Sequence, residues 1–160
     1  MPARSQRRQR AGTRVVLLGT GTPGPDPERS GPATAIIANG TAYLVDFGPG
    51  VVRRAAAAYE KGITAFGARV SGLRTVFLTH LHADHTAGYP DLILTTWIMG
   101  RKWPLEVYGP RGIKAMTSHV LQAWEVDIAN RLHGMEKGTR SGYRVNSHEI
   151  MPGLISDLLT

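Results

Sequence analysis

The chain is expected to fold as a mixed domain of the α/β or α+β class, and three observations carry that expectation. Its 160 residues with 42% apolar side chains suffice for one compact domain with a core, and are too few for two. Nineteen glycines and ten prolines demand many tight turns, which excludes a long helical bundle. The apolar segments come first as short strand-like runs, and then as strands and helices in alternation.

Val15 to Leu18 is an apolar run closed by glycine and reads as a buried strand. Pro23, Pro25, Pro27 and Pro32 break any helix in the segment that follows, leaving a long turn. Thr34–Ala38 and Thr41–Val45 flank Asn39-Gly40, a pair that suits a tight hairpin because both residues tolerate positive φ. Gly48-Pro49-Gly50 turns the chain into 51–61, whose alanine run favours helix. Val76–Leu78 is the next short strand. A polar cluster, 79–86, follows it, and 88–99 reads as a helix with Leu92, Ile93 and Trp97 on its apolar side. Leu105–Tyr108 returns as a strand, and Gly109-Pro110-Arg111-Gly112 leads into a helix that runs to about Val126. A last strand is expected around Tyr143–Ile150, followed by a short tail.

The charge is uneven. Arg4, Arg7, Arg8, Arg10 and Arg14 fall in the first fourteen residues with no acidic side chain among them, and the remainder carries 14 basic against 12 acidic residues. Most of the net +7 therefore belongs to an arm. It reads as a solvated, disordered terminus, with contact to nucleic acid or an anionic surface as the sharper alternative. Arg7-Arg8 has the look of an export signal, but Val15–Leu18 is too short for its apolar segment. No run approaches the ~20 apolar residues of a membrane span, so a soluble protein is expected. It is assigned to the cytoplasm, with export as the alternative. With no cysteine, disulfides, iron–sulfur clusters and thiolate zinc sites are excluded, and any metal must be held by histidine and carboxylate.

Two motifs compete for the chemistry. Gly19-Thr20-Gly21-Thr22-Pro23-Gly24 has the G-x-G-x-x-G spacing, and Asp46 stands where a ribose-binding acid would. A dinucleotide site needs a helix after those glycines, with its N-terminus on the pyrophosphate, and Pro25-Asp26-Pro27 denies one. The glycines are assigned to a tight turn. The second motif is sharper. Thr79-His80-Leu81-His82-Ala83-Asp84-His85 gathers three imidazoles and a carboxylate directly after a strand. Neutral imidazole with carboxylate suits zinc, and iron or manganese less specifically. His80 and His82 can turn toward one ion, while Asp84 and His85 face a second point, as a two-metal site requires.

His-x-His-x-Asp-His after a strand resembles the signature of the metallo-β-lactamase superfamily. Leu18–Pro23, Tyr43–Gly50 and Val107–Ile113 are similar to segments of its ribonuclease Z and arylsulfatase-type branch, in the same order, over roughly Arg14 to Ile150. The resemblance implies a four-layer αββα sandwich with a dinuclear metal site. His80 and His82 would be ligands of the first metal, Asp84 and His85 of the second. Asp84 would also orient the attacking hydroxide, and Asp46 would support the site from behind its ligands. The implied chemistry is hydrolysis by a zinc-activated water, on a phosphodiester such as the 3′ end of precursor tRNA, or on a sulfate ester or small phosphoester. Under this reading 1–13 is a basic disordered arm and 14–160 the amino-terminal part of the domain.

The family completes its site with two further histidines and a bridging carboxylate from a later region that has no counterpart here. His119, His133 and His148 lack the matching context and receive no metal role. The chain is accordingly expected to be a shortened hydrolase, whose half sandwich would leave an apolar sheet face at Val15–Leu18, Ile36–Ile37 and Val76–Leu78 short of cover. A homodimer completing the layers is the lesser alternative, and an inactive fragment lacking the later ligands is the rival to an active enzyme. Binding of nucleic acid by the arginine arm alone is the third.

Overall fold

The structure, a computed structural model, describes residues 12–134 and 138–151. The arginine arm as far as residue 11 and the tail from 152 lie outside them. Among the described residues six strands form one sheet in chain order: β1 (Arg14–Gly19), β2 (Ala33–Ala38), β3 (Thr41–Val45), β4 (Thr75–Phe77), β5 (Leu105–Gly109) and β6 (Val145–Glu149). β1–β2 and β2–β3 are antiparallel, whereas β3–β4, β4–β5 and β5–β6 are parallel. The hairpin turns where Asn39-Gly40 was expected to place it, with φ 49° and 78°, and Ala38 pairs with Thr41 across it.

Among the described residues five helices fill the crossovers: α1 (Val51–Glu60), α2 (Ala83–Thr86), α3 (Tyr89–Ile98), α4 (Ile113–Ala123) and α5 (Glu125–His133). Three parallel connections step the same way along the sheet. The right-handed rule for such crossovers puts their helices on one face, and α1 packs against α3 and α3 against α4 accordingly. The alternation of the strands obeys this. Ala33, Ala35, Ala42, Leu44, Val76, Leu105 and Val107 point into the helical layer and are buried. Val51, Val52 and Ala55 of α1, with Leu92, Ile93 and Trp97 of α3, meet them there. Each fully buried aliphatic or aromatic side chain contributes roughly 1.5–3 kcal/mol.

Among the described residues the molecule therefore has two of the sandwich's layers, one helical and one of sheet. Val15–Leu18 is not the buried strand its composition suggests. Only Leu18 is buried; Val15 and Leu17 are 63% and 67% exposed, because β1 pairs with β2 alone and its outer side chains face away from the helices. Ile36 and Phe77, on the same outer face, are only half-buried, whereas Ile37, Val76 and Leu78 point inward and are covered.

The helix expected to end near Val126 breaks two residues earlier, at Trp124 (φ −108°, ψ 15°), and a second helix carries on to His133. Neither glycine nor proline marks the break. α5 swings Ile128 back into the core while Trp124 and Val126 stay exposed. Two 3₁₀ turns, Thr64–Phe66 and Ala68–Val70, link α1 to β4 and were not anticipated. The Gly19–Gly24 turn opens toward an antiparallel neighbour and no helix follows it, so the dinucleotide reading is excluded by topology. Gly21 N–H donates instead to Ser30 O at 2.8 Å, closing the loop on itself.

Candidate metal centre

β3 and β4 run parallel, so their carboxyl ends emerge side by side, the place where open α/β sheets put ligands. Asp46 leaves β3 and Thr79 leaves β4. The ladder continues one step beyond the strands: Asp46 N–H donates to Phe77 O at 2.8 Å. The chain then turns sharply at Asp46, whose φ of 60° is left-handed, a conformation Asp tolerates better than most side chains. That turn aims its carboxylate across the gap to the histidine cluster.

The carboxylate of Asp46 is 6% exposed by residue and fully engaged. Its Oδ1 accepts from Thr79 N–H at 2.8 Å and from Thr79 Oγ1–H at 2.9 Å. Its Oδ2 lies 2.8 Å from His85 Nδ1 and 3.0 Å from Thr79 Oγ1. An ionised carboxylate only accepts, so His85 carries its proton on Nδ1 and keeps its lone pair on Nε2. That Nε2 lies 3.6 Å from Asp84 Oδ2. The ring centroids of His80 and His85 are 4.1 Å apart, and those of His80 and His82 are 4.6 Å apart. Thus the four motif residues and Asp46 are brought to one corner.

Backbone contact holds this corner together. His82 has extended backbone (φ −65°, ψ 148°) and Thr86 Oγ1 donates to its carbonyl at 2.9 Å, which starts the short helix α2 carrying Asp84 and His85. Phe47 N–H donates to His85 O, and Gly88 N–H to Phe47 O, both at 3.0 Å, so the turn after β3 is bonded to the carboxyl end of α2 and to the residue that opens α3. Phe47 stacks on Tyr89 with centroids 4.5 Å apart. The approach requires glycine: a Cβ on Gly48 would lie 2.5 Å from Asp84 O.

The remaining histidines are elsewhere. His119 is exposed on α4 and His133 is exposed at the end of α5. His148 on β6 stacks on Tyr108 at 4.5 Å and its Nε2 meets Glu106 Oε2 at 2.9 Å. Burial tends to raise the Glu106 carboxyl, but hydrogen bonds from His148 and Asn146, with the charges of His148 and Arg74, hold it below its ordinary value. Sequence reasoning passed over Thr79 as a working residue, although it directly precedes the first histidine. It read Gly48 only as a turn residue and Gly88 only as the start of a helix; their part in bringing the turn against α2 carries no signal until the two are seen in contact.

The donor set, three imidazoles and a carboxylate with one imidazole oriented by a further carboxylate, has the chemistry that zinc takes. As they stand, no three His, Asp or Glu side chains among the described residues converge closely enough to hold an ion. A cleft of about 350 Å³ opens beside Asp84, walled by Pro23, Pro25 and Pro49, with Arg29 at its rim.

A mixed sheet with helices on one face and a histidine–carboxylate cluster at its strand ends defines a class of metallohydrolase folds. Residues 26–117 match the metallo-beta-lactamase superfamily, and the chain belongs to it. Members of that superfamily generally bind metal ions. The chain is 42% identical to ribonuclease Z of Mycobacterium marinum over 121 residues, 74% of this chain and 40% of that protein. Against ribonuclease Z of Mycobacterium bovis it is 37% identical over 150 residues, 91% of this chain and 51% of that one. The crystal structure of the short form of human tRNase Z superposes with a TM-score of 0.61 at 27% identity, over 88% of this chain and 46% of that chain. YhfI of Bacillus subtilis, at 18% identity and a TM-score of 0.55, shares the fold. The chain spans about half the length of the relatives it matches. No helix among the described residues is long and apolar enough to cross a membrane.

Proposed function

We propose that this chain carries part of the active centre of a metal-dependent phosphodiesterase of the ribonuclease Z type, acting in the cytoplasm on the 3′ end of precursor tRNA. The observation that carries the reading is the corner at the ends of β3 and β4, where His80, His82, Asp84 and His85 gather around the carboxylate of Asp46. The identity to ribonuclease Z proteins across most of this chain supports the substrate class. His80 and His82 would hold one zinc ion and Asp84 and His85 a second, with manganese or iron as substitutes. When bound, such ions supply Lewis acidity and an activated water at neutral pH.

The chain's own residues do the rest. Asp46 fixes the ring of His85 and its tautomer, so Nε2 is presented without a further search of rotamers. Asp84 reaches toward the cleft and is the residue that would orient the water for attack. Arg29, exposed at the rim with its Nε 3.5 Å from Asp26 Oδ2, would offer the terminal nitrogens of its guanidinium to a substrate phosphate.

The test is zinc per chain on the purified protein, measured by elemental analysis after gel filtration, with cleavage of a precursor tRNA and of a chromogenic phosphodiester followed in parallel. His82→Ala and Asp84→Ala are expected to lose bound zinc while remaining folded. Zinc content unchanged in both variants would sink the ligand assignment. Turnover of an aryl sulfate in preference to both phosphodiesters would move the substrate to the sulfatase side of the branch. Bound zinc with no turnover on any of the three would favour the reading as an inactive fragment.

A further inference from the structure

We infer that Thr79 is a positioning residue that sets the tautomer of His80 and thereby couples it to His85 through Asp46. Counting protons leads there. Thr79 Oγ1 lies 2.9 and 3.0 Å from the two oxygens of Asp46, and 2.9 Å from His80 Nδ1. The hydroxyl has one proton, and the ionised carboxylate can only accept it. Toward His80 the Thr79 oxygen is therefore left as an acceptor, and His80 Nδ1 must donate. The relay reads His80 Nδ1–H to Thr79 Oγ1–H to Asp46, with His85 Nδ1–H arriving from the other side. One buried carboxylate thus places the lone pairs of two imidazoles on Nε2, although only His85 touches it. Thr79 is itself fixed, because its backbone N–H donates to the same carboxylate at 2.8 Å.

No other side chain in the motif can do this. His82 is exposed and no hydroxyl or carboxylate among the described residues hydrogen-bonds its ring, so its tautomer is not set in this way. A hydroxyl is required at position 79, and serine would serve as well as threonine. Valine, nearly the same shape, would not, since it can neither donate to Asp46 nor accept from His80. The consequence for metal binding rests on the hydrolase reading above; the tautomer does not.

The two are separated by measuring both in the chain as it stands. Long-range ¹H–¹⁵N NMR of the metal-free protein, with the rings neutral, is expected to show His80 and His85 protonated on Nδ1. Thr79→Val should shift His80 toward the Nε2–H form and leave His85 unchanged, while Thr79→Ser should preserve both. An unchanged His80 tautomer in Thr79→Val overturns the inference. Zinc competition against a chromophoric chelator supplies the second readout. Thr79→Val is expected to bind roughly 10–100-fold more weakly, with Thr79→Ser close to the parent chain. Equal losses in the two variants would mean that packing, not the hydroxyl, matters, and would also overturn it. If the parent chain binds no zinc, the hydrolase reading falls, and the NMR result still decides the role of Thr79.

Discussion

Gly48→Ala is the substitution whose cost follows most directly from the structure. The added Cβ would lie 2.5 Å from the carbonyl oxygen of Asp84, 2.5 Å from the carbonyl carbon of Gly31 and 2.7 Å from Pro32 N. All three are backbone atoms, so no side chain can swing aside, and the turn after β3 must separate from α2 by about 1 Å to restore ordinary contact. Overpacking of this kind costs roughly 1–3 kcal/mol, and clashes on both sides put Gly48 at the upper end. The same displacement breaks the Phe47 N–H to His85 O bond of 3.0 Å, worth about 1 kcal/mol more. The expected loss is about 3–4 kcal/mol, read as a lower urea midpoint at unchanged slope and a drop in Tm of roughly 6–16 °C. Gly24→Ala is the matched control, for its Cβ would meet only Thr22 Oγ1, at 3.6 Å. It is expected to stay within about 0.5 kcal/mol of the parent. Equal midpoints for Gly48→Ala and Gly24→Ala would refute the claim that close backbone approach holds α2, with Asp84 and His85, against the turn.

Gly40→Ala isolates backbone strain, since nothing lies within 4 Å of its Cβ while φ is 78°; about 1 kcal/mol of stability is expected to go, measured by urea unfolding. Arg101 is fully buried and donates to Thr96 Oγ1 at 2.9 Å, Trp103 O at 3.0 Å and Ile93 O at 2.9 Å, at the end of α3. Arg101→Ala should cost about 3 kcal/mol in the same assay, and a loss under 1 kcal/mol would mean the three bonds are replaced by water. Burial pushes the Tyr89 hydroxyl up from 10.0 to about 12, against the hydrogen bond to Thr117 and the charge of Arg101. A raised value stabilises the fold in full below pH 10 and is lost as the pH climbs through about 12. Stability should therefore fall over that window, and Tyr89→Phe should flatten the fall; an unaltered pH profile in the variant would contradict the assignment.

Much of this molecule is legible in its sequence. Asn39-Gly40 determined a hairpin, because two adjacent residues with positive φ permit few other turns. The apolar stripe through Leu92, Ile93 and Trp97 determined a buried helix, and the His-x-His-x-Asp-His spacing located the histidine–carboxylate cluster. These are local properties, set by residues within one turn or one strand of each other. The break at Trp124 was not legible, since no local signal competes with helix there and the reversal serves to bury Ile128. Val15–Leu18 likewise reads as apolar throughout, yet whether Val15 and Leu17 are covered depends on what lies across the sheet. The Asp46–Thr79 step of the relay to His80 joins residues 33 apart in sequence, and the Asp46–His85 bond spans 39. Sequence supplied the hydroxyl, the carboxylate and the imidazoles. Only the parallel register of β3 and β4, with glycine at position 48 letting α2 close on the turn, decided that they would share protons.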